Sequence, residues 1–229
     1  LCAKLLDQSI ADFPTAASVV FTDDIHFQRT QHVLALAGHS GPPSPTHARV
    51  LSIAKDFELR TYSKARLIVL ISEEDERILT GAMPPRPAAA ILPFGATPVA
   101  DIEVVPISKR VRGRLLYVGT CHPVARASVT WLVRMVLPRI ARAAGEAGQE
   151  SPLQLRIAGN GWAHLANEAP FTEWVQRGTV VMLGKLSDEQ LLAEYQSSRL
   201  FVSPLLNATG IATKNFHAMA NGLPVLTTR

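Results

Sequence analysis

The residues from Asn207 to Thr228, NATGIATKNFHAMANGLPVLTT, have the grammar of an anion-binding helix start. Thr209, Gly210 and Ile211 are placed to open a helix whose free amides and dipole attract negative charge. Lys214 follows about one turn in, on a side chain long enough to reach back towards a phosphate. Gly222 and Pro224 supply the ending, glycine for the exit and proline to stop continuation. A purely structural helix needs that ending, but not Thr-Gly followed by a lysine at this offset. His217 lies on the same helix, at a place where a carboxylate would be the stronger ligand.

Three further places carry glycine at the carboxyl end of an expected strand: Gly119-Thr120, Gly159-Asn160-Gly161 and Gly184-Lys185. Ligands of open parallel sheets sit at such ends, and glycine lets backbone amides approach them closely. For any one of them taken alone, a tight turn with nothing bound explains the glycine more simply. In the first half, TDDIHFQR puts Asp23, Asp24, His26 and Arg29 just beyond a strand. Asp24 and His26 are candidate catalytic residues, able to orient a substrate hydroxyl or move a proton. A loop aspartate capping a helix beside an exposed histidine accounts for the same residues. The chain shows no zinc-ligand spacing, no GxSxG elbow and no P-loop.

The elements that must position these residues follow from periodicity. ASVVF, ARLIVLIS, RLLYVGT, LQLRIAG, TVVMLGKL, LFVSPL and PVLTT read as buried strands. Helical spacing runs from Ala48 to Ser63, over 127–145 and over 210–222. Ser72 and Ser187 stand as caps before acidic first turns. Residues 38–48, rich in Gly, Pro and Ser, read as a surface loop. Strands alternating with helices predict an α/β chain of two Rossmann-like parallel-sheet units. The expected boundaries are 1–100, a linker over 101–113 where no period holds, and 114–229.

The basic run SKRVRGR, with Lys109, Arg110, Arg112 and Arg114, reads as a solvated linker face. Contact with a nucleotide diphosphate or an anionic membrane surface is the alternative. A net charge of +4 over 229 residues gives no case for nucleic acid. Hydrophobic content of 47% against 18% charged describes a folded core, and no apolar run is long enough to span a bilayer. Cys2 and Cys121 match no metal spacing and read as free thiols of a reducing compartment, so the expected location is cytoplasmic. The opening LCAKLL has no signal-peptide layout and no initiator Met, and the chain stops inside a strand; a partial chain, with both units incomplete, is the expectation.

With these residues in hand, the chain resembles the GT-B glycosyltransferases of the group 1 class (family 4). The blocks that carry the resemblance are RLLYVGTCHPVARASVTWLVRMVLPRI, LQLRIAGNGW, VVMLGKLSDEQLLAEYQSSRLFVSPL and TGIATKNFHAMANGLPVLTT. VVFTDDIHFQR and ARLIVLISEEDERIL…ILPFGA are similar to the closing part of that family's acceptor-side domain. The resemblance implies transfer of a sugar from a nucleotide-diphosphate donor to an acceptor, with retention, in a protein that is soluble or peripheral to a membrane. Gly119, Thr120, Thr209, Gly210, Ile211, Lys214 and His217 would bind the donor, and His26 or Asp24 would face the acceptor. It implies no divalent metal and no other cofactor, because lysine, arginine and helix amides neutralise the leaving diphosphate. Two departures stand out. The pair of glutamates that the family often places across this helix start corresponds to Thr209 and His217, and the basic pair after the glycine turn has only Arg126 as a counterpart. They keep two alternatives open: a GT-B sugar-nucleotide epimerase, and a non-catalytic relative that binds nucleotide or a protein partner.

Overall fold

Short apolar runs too brief for a helix become parallel strands here, buried in ARLIVLIS, RLLYVGT, LQLRIAG and LFVSPL but largely exposed in VVF, where Val19 and Phe21 face outward. In the computed structural model of the chain, residues 2–22, 24–36, 44–83, 87–93, 104–146, 153–206 and 212–228 are described. They divide into two units, with the break between residues 93 and 104.

The first unit runs α1 (Cys2–Asp12), β1 (Val19–Phe21), α2 (His26–Leu36), α3 (Pro45–Ser63), β2 (Leu67–Leu70), α4 (Glu73–Ala82) and β3 (Ala88–Ile91). Its strands form one parallel sheet in the order β1-β2-β3, with Val20 opposite Ile68 and Ile68 opposite Ala89. Ile25, Phe27, Tyr62, Ile68, Leu70 and Leu79 make the core, each fully buried aliphatic side chain contributing roughly 1.5–3 kcal/mol. Ser72 caps α4 by accepting from the Asp75 amide at 3.1 Å, as the sequence indicates. Helix α3 starts three residues earlier than its periodicity suggests. Ser44 caps it, accepting from the His47 amide at 3.3 Å, and Pro45 occupies the first turn, where a missing N–H is no loss. Residues that look like loop punctuation thus start a helix.

The second unit runs β4 (Arg114–Val118), α5 (Pro123–Trp131), a π-helical turn (Leu132–Val136), α6 (Leu137–Glu146), β5 (Gln154–Ala158), α7 (Phe171–Gln176), β6 (Val180–Gly184), α8 (Asp188–Ser197), β7 (Leu200–Ser203), α9 (Thr213–Ala220) and β8 (Val225–Thr227). All its strands are parallel, in the order β6-β5-β4-β7-β8. The chain steps outward from β4 through β5 to β6, then returns to the other side of β4 with β7. Two parallel sheets faced by helices are the α/β architecture expected from the sequence. The wide turn within the long helix has a local cause: Pro138 cannot bond back to the carbonyl of Arg134, which lies inside that turn. Ser187 and Gln190 form a reciprocal capping box at the start of α8.

The basic run before β4 corrects the expectation of a solvated face. Lys109 and Arg112 are exposed, but Arg110 is only 3% exposed. Its guanidinium donates to the carbonyls of Val105 (2.9 Å), Tyr195 (2.5 Å), Ser198 (3.1 Å) and Asn221 (2.9 Å). Tyr195 and Ser198 end α8 and Asn221 follows α9, so one cation satisfies the orphan acceptors at the negative ends of two helices. Arg114 adds a bond from Nη1 to the Ser197 hydroxyl at 3.0 Å. Charge density along a sequence cannot reveal partners this far away.

Among the described residues no helix is long and apolar enough to cross a membrane. No group of three His, Cys, Asp or Glu among them could hold a metal ion.

Candidate functional site

The carboxyl ends of β4, β5 and β6 are stitched by backbone hydrogen bonds between their turns. The Gly119 amide donates to the Ala158 carbonyl (2.9 Å), the Cys121 amide to that of Asn160 (2.9 Å), and the Gly159 amide to that of Gly184 (2.8 Å). Gly159 has φ +132°, and a Cβ there would lie 2.1 Å from the Gly119 carbonyl oxygen. Only glycine allows two turns to approach so closely. The same carbonyl accepts from Trp162 Nε1 at 2.6 Å. These turns border a cavity of about 390 Å³. Val118, Leu186 and Leu191 give it apolar walls, while Thr120, Asn160 and Lys185 bring polar groups. Apolar walls with a few polar groups suit a small organic ligand that carries a charged end.

Lys214 joins this group from β7's side of the sheet. Its ammonium stands 5.1 Å over the ring centroid of Tyr117 and 3.5 Å from where a Cβ on Gly119 would sit. Burial lowers its pKa from the usual lysine value. Among the described residues none holds a carboxylate within ion-pair distance of it. Helix α9 is described from Thr213 rather than from Gly210, so Lys214 stands in its first turn. The residue before the helix, Ala212, has no side-chain acceptor to occupy the leading amides. β4 and β7 are the neighbours at which the strand order reverses, and open α/β sheets bind ligands at such a switch point.

The structure therefore brings Gly119, Thr120 and Lys214 together. His217 lies one turn further along α9, exposed, its carbonyl accepting from Asn221 Nδ2 at 2.8 Å. Thr209, Gly210, Ile211 and Asp23 lie outside the described residues. Arg126, the arginine that follows the glycine turn, pairs with Glu168 at 2.6 Å on the surface. Tyr117 and Trp162 are site residues that sequence reasoning missed. Both are buried, with rings edge to face and centroids 5.5 Å apart. An aromatic inside a buried strand and a tryptophan directly after a glycine pair were the only signals.

In the first unit, the start of α2 is held by a residue from another helix. Glu58 of α3, 7% exposed, accepts from the His26 amide (2.9 Å), the Phe27 amide (2.8 Å) and the Tyr62 hydroxyl (2.6 Å). Burial, and then the hydrogen bond to Glu58, push the Tyr62 phenol above its usual range. His26 Nδ1 lies 3.4 Å from the same carboxylate, with the ring largely exposed. Asp24 pairs with Arg29, its Oδ2 3.3 Å from Nη1. The carboxylate beside His26 is thus Glu58, and Asp24 serves an arginine.

The sequence profile of the Glycosyl transferases group 1 family matches residues 112–229, the whole of β4 through β8. An uncharacterized 44.6 kDa protein in the cps region of Klebsiella pneumoniae is 29% identical over 117 residues, covering 50% of this chain and 28% of that protein. Sucrose-phosphate synthase from Thermosynechococcus elongatus superposes with a TM-score of 0.61 at 18% identity, over 91% of this chain and 49% of its own. Anabaena HepE, solved in complex with UDP and glucose, gives a TM-score of 0.60 at 14% identity, over 98% and 57%. This chain therefore spans about a quarter of the curated relative and about half of each structure. At these identities the structures establish a shared fold, and the profile match across just over half of the residues establishes descent: the chain belongs to the group 1 glycosyl transferases.

Proposed function

We propose that the second unit binds the diphosphate of a nucleotide-sugar at the Gly119–Lys214 junction, for transfer of the sugar to an acceptor. One observation carries the reading: a partly buried ammonium, without a carboxylate partner among the described residues, beside close-packed glycine turns at the switch point of the sheet. A protein keeps a desolvated cation of this kind where an anion arrives to complete it. The complex of HepE with UDP and glucose supports a nucleotide-sugar as that anion.

Breaking the bond between the sugar and the diphosphate leaves negative charge on the departing phosphate oxygens. Lys214 meets that charge directly, and the leading amides of α9 add the positive end of its dipole. The turn at Gly119 and Thr120 gives the phosphates close access to backbone N–H groups. Thr209, Gly210, Ile211 and His217 complete the donor side in this reading, with His217 offering the ribose one hydrogen bond where a carboxylate would accept two. The rate then comes from charge stabilisation and orientation, and no metal ion or other cofactor is invoked. On the acceptor side, the exposed ring of His26, beside Glu58, is the group available to a hydroxyl, and Asp24, paired with Arg29, is the second candidate.

Calorimetric titration with UDP, GDP and ADP tests the donor site. One nucleotide is expected to bind, and Lys214→Ala to weaken it at least tenfold, about 1.4 kcal/mol. A folded protein that takes none of the three would set this reading aside in favour of a non-catalytic relative.

A further inference from the structure

Lys214 reaches the glycine turn from a different strand-to-helix connection, on a side chain with four rotatable bonds. Something must hold its ammonium in place. Among the described residues the aromatic face beneath it is that of Tyr117, 5.1 Å from Nζ to the ring centroid. Tyr117 is itself fixed: it is 2% exposed, and Trp162 packs its ring at 83° to it, 5.5 Å away. Trp162 in turn donates its indole N–H to the Gly119 carbonyl at 2.6 Å. The phenol oxygen lies 3.0 Å from the position a Gly119 Cβ would take, so Tyr117 also borders the turn. One aromatic pair therefore touches both the cation and the turn.

We propose that Tyr117 is a positioning residue: its ring face seats the Lys214 ammonium over the Gly119 turn, and Trp162 fixes the ring and the turn to each other. The inference rests on the nucleotide reading for its functional meaning, but the seat itself exists in the free protein. A cation over an aromatic face is attracted by the ring quadrupole, and the attraction grows when both are desolvated. The seat keeps a partly buried lysine charged and aimed without a carboxylate, which would neutralise it and repel an incoming diphosphate. Other groups do not take this role. The strands on which α9 packs, β7 and β8, present Leu200–Ser203 and Val225–Thr227, none of them ionisable. Among the described residues Tyr117 is the titratable group that faces the ammonium, and burial keeps its phenol protonated.

The test replaces Tyr117 while keeping a six-membered aromatic ring in its place. Tyr117→Phe retains the π face, whereas Tyr117→pentafluorophenylalanine keeps the outline and reverses the quadrupole. The Lys214 Cε signal is followed against pH by NMR in the free protein, and UDP affinity is measured alongside. With phenylalanine, the Lys214 midpoint should stay in place and UDP affinity should hold within about twofold. With the fluorinated ring, the midpoint should fall and affinity should drop about fivefold. Equal midpoints in the two variants, both folded, would overturn the proposal, because a filler of space is blind to the sign of the quadrupole. A phenylalanine variant that falls as far as the fluorinated one would also overturn it, by assigning the effect to the hydroxyl. If the wild-type protein binds no UDP, the nucleotide reading fails by itself, and the midpoint alone decides the role of Tyr117.

Discussion

The start of α2, after β1, and the start of α9, beside the β4 turn, are finished in opposite ways. After β1, the amides that open α2 are taken by the protein's own carboxylate, Glu58, and the surrounding polar groups pair internally. At β4, glycine turns meet a lysine that has no such partner among the described residues, and α9 begins after an alanine. A helix start satisfied from within is architecture; one left with a surplus cation is prepared for a guest. Both regions stand at the carboxyl end of a parallel strand. The sign and pairing of the nearby charge tell them apart.

The contrast is most exposed to removal of Glu58. Glu58→Ala leaves two amides and a phenol without their acceptor in a buried place, and should lower unfolding free energy by about 3 kcal/mol in urea denaturation. A loss below about 1 kcal/mol would mean that solvent replaces the carboxylate and that the two regions differ less than the geometry says. Gly159→Ala comes next, since its Cβ would meet the Gly119 carbonyl in a left-handed backbone. It should destabilise by about 2 kcal/mol and abolish nucleotide binding, because the turn must move. Unchanged binding would show that the turn is not part of the donor site.

A third prediction concerns pH. Lys214 must be charged to hold a diphosphate, and burial has lowered its pKa. Nucleotide affinity should therefore be full below that lowered pKa and decline as pH rises through it, earlier than for an exposed lysine. An affinity flat up to the ordinary lysine range would remove Lys214 from the site. The smallest effect is on stability. A lysine with a depressed folded-state pKa binds its proton more tightly when unfolded, so the folded state gains stability as pH rises from the folded to the unfolded pKa. Lys214→Met should accordingly raise the melting temperature at neutral pH, with the difference narrowing in alkali. Glu58 shows no such trade, since every variant there should lose stability.

Much of the fold was legible because its signals are local. The apolar runs that became β1, β2 and β4 to β8, and the caps Ser72 and Ser187, involve residues within a few positions of one another. What holds the start of α2 escaped notice, because it is Glu58, 32 positions from His26. The buried state of Arg110 escaped for the same reason, its partners lying up to 111 positions away. Gly119 and Lys214 were readable as separate candidates from turn chemistry. Their meeting depended on β7 returning beside β4, an order of strands that no periodicity encodes. The Tyr117 ring was hidden because a strand aromatic reads first as core, and here it is core with one face turned to a cation.

Arg110 has a kinetic consequence. Leu191 of α8 walls the cavity, and Lys214 of α9 sets its cation beside the Gly119 turn that borders it. Both helices end on the carbonyls gathered by that one guanidinium. Neither can fray from its carboxyl end without releasing a bond that also anchors the other. Their amides should therefore exchange with solvent as one cooperative unit, and the two would open and reclose together rather than as separate flaps.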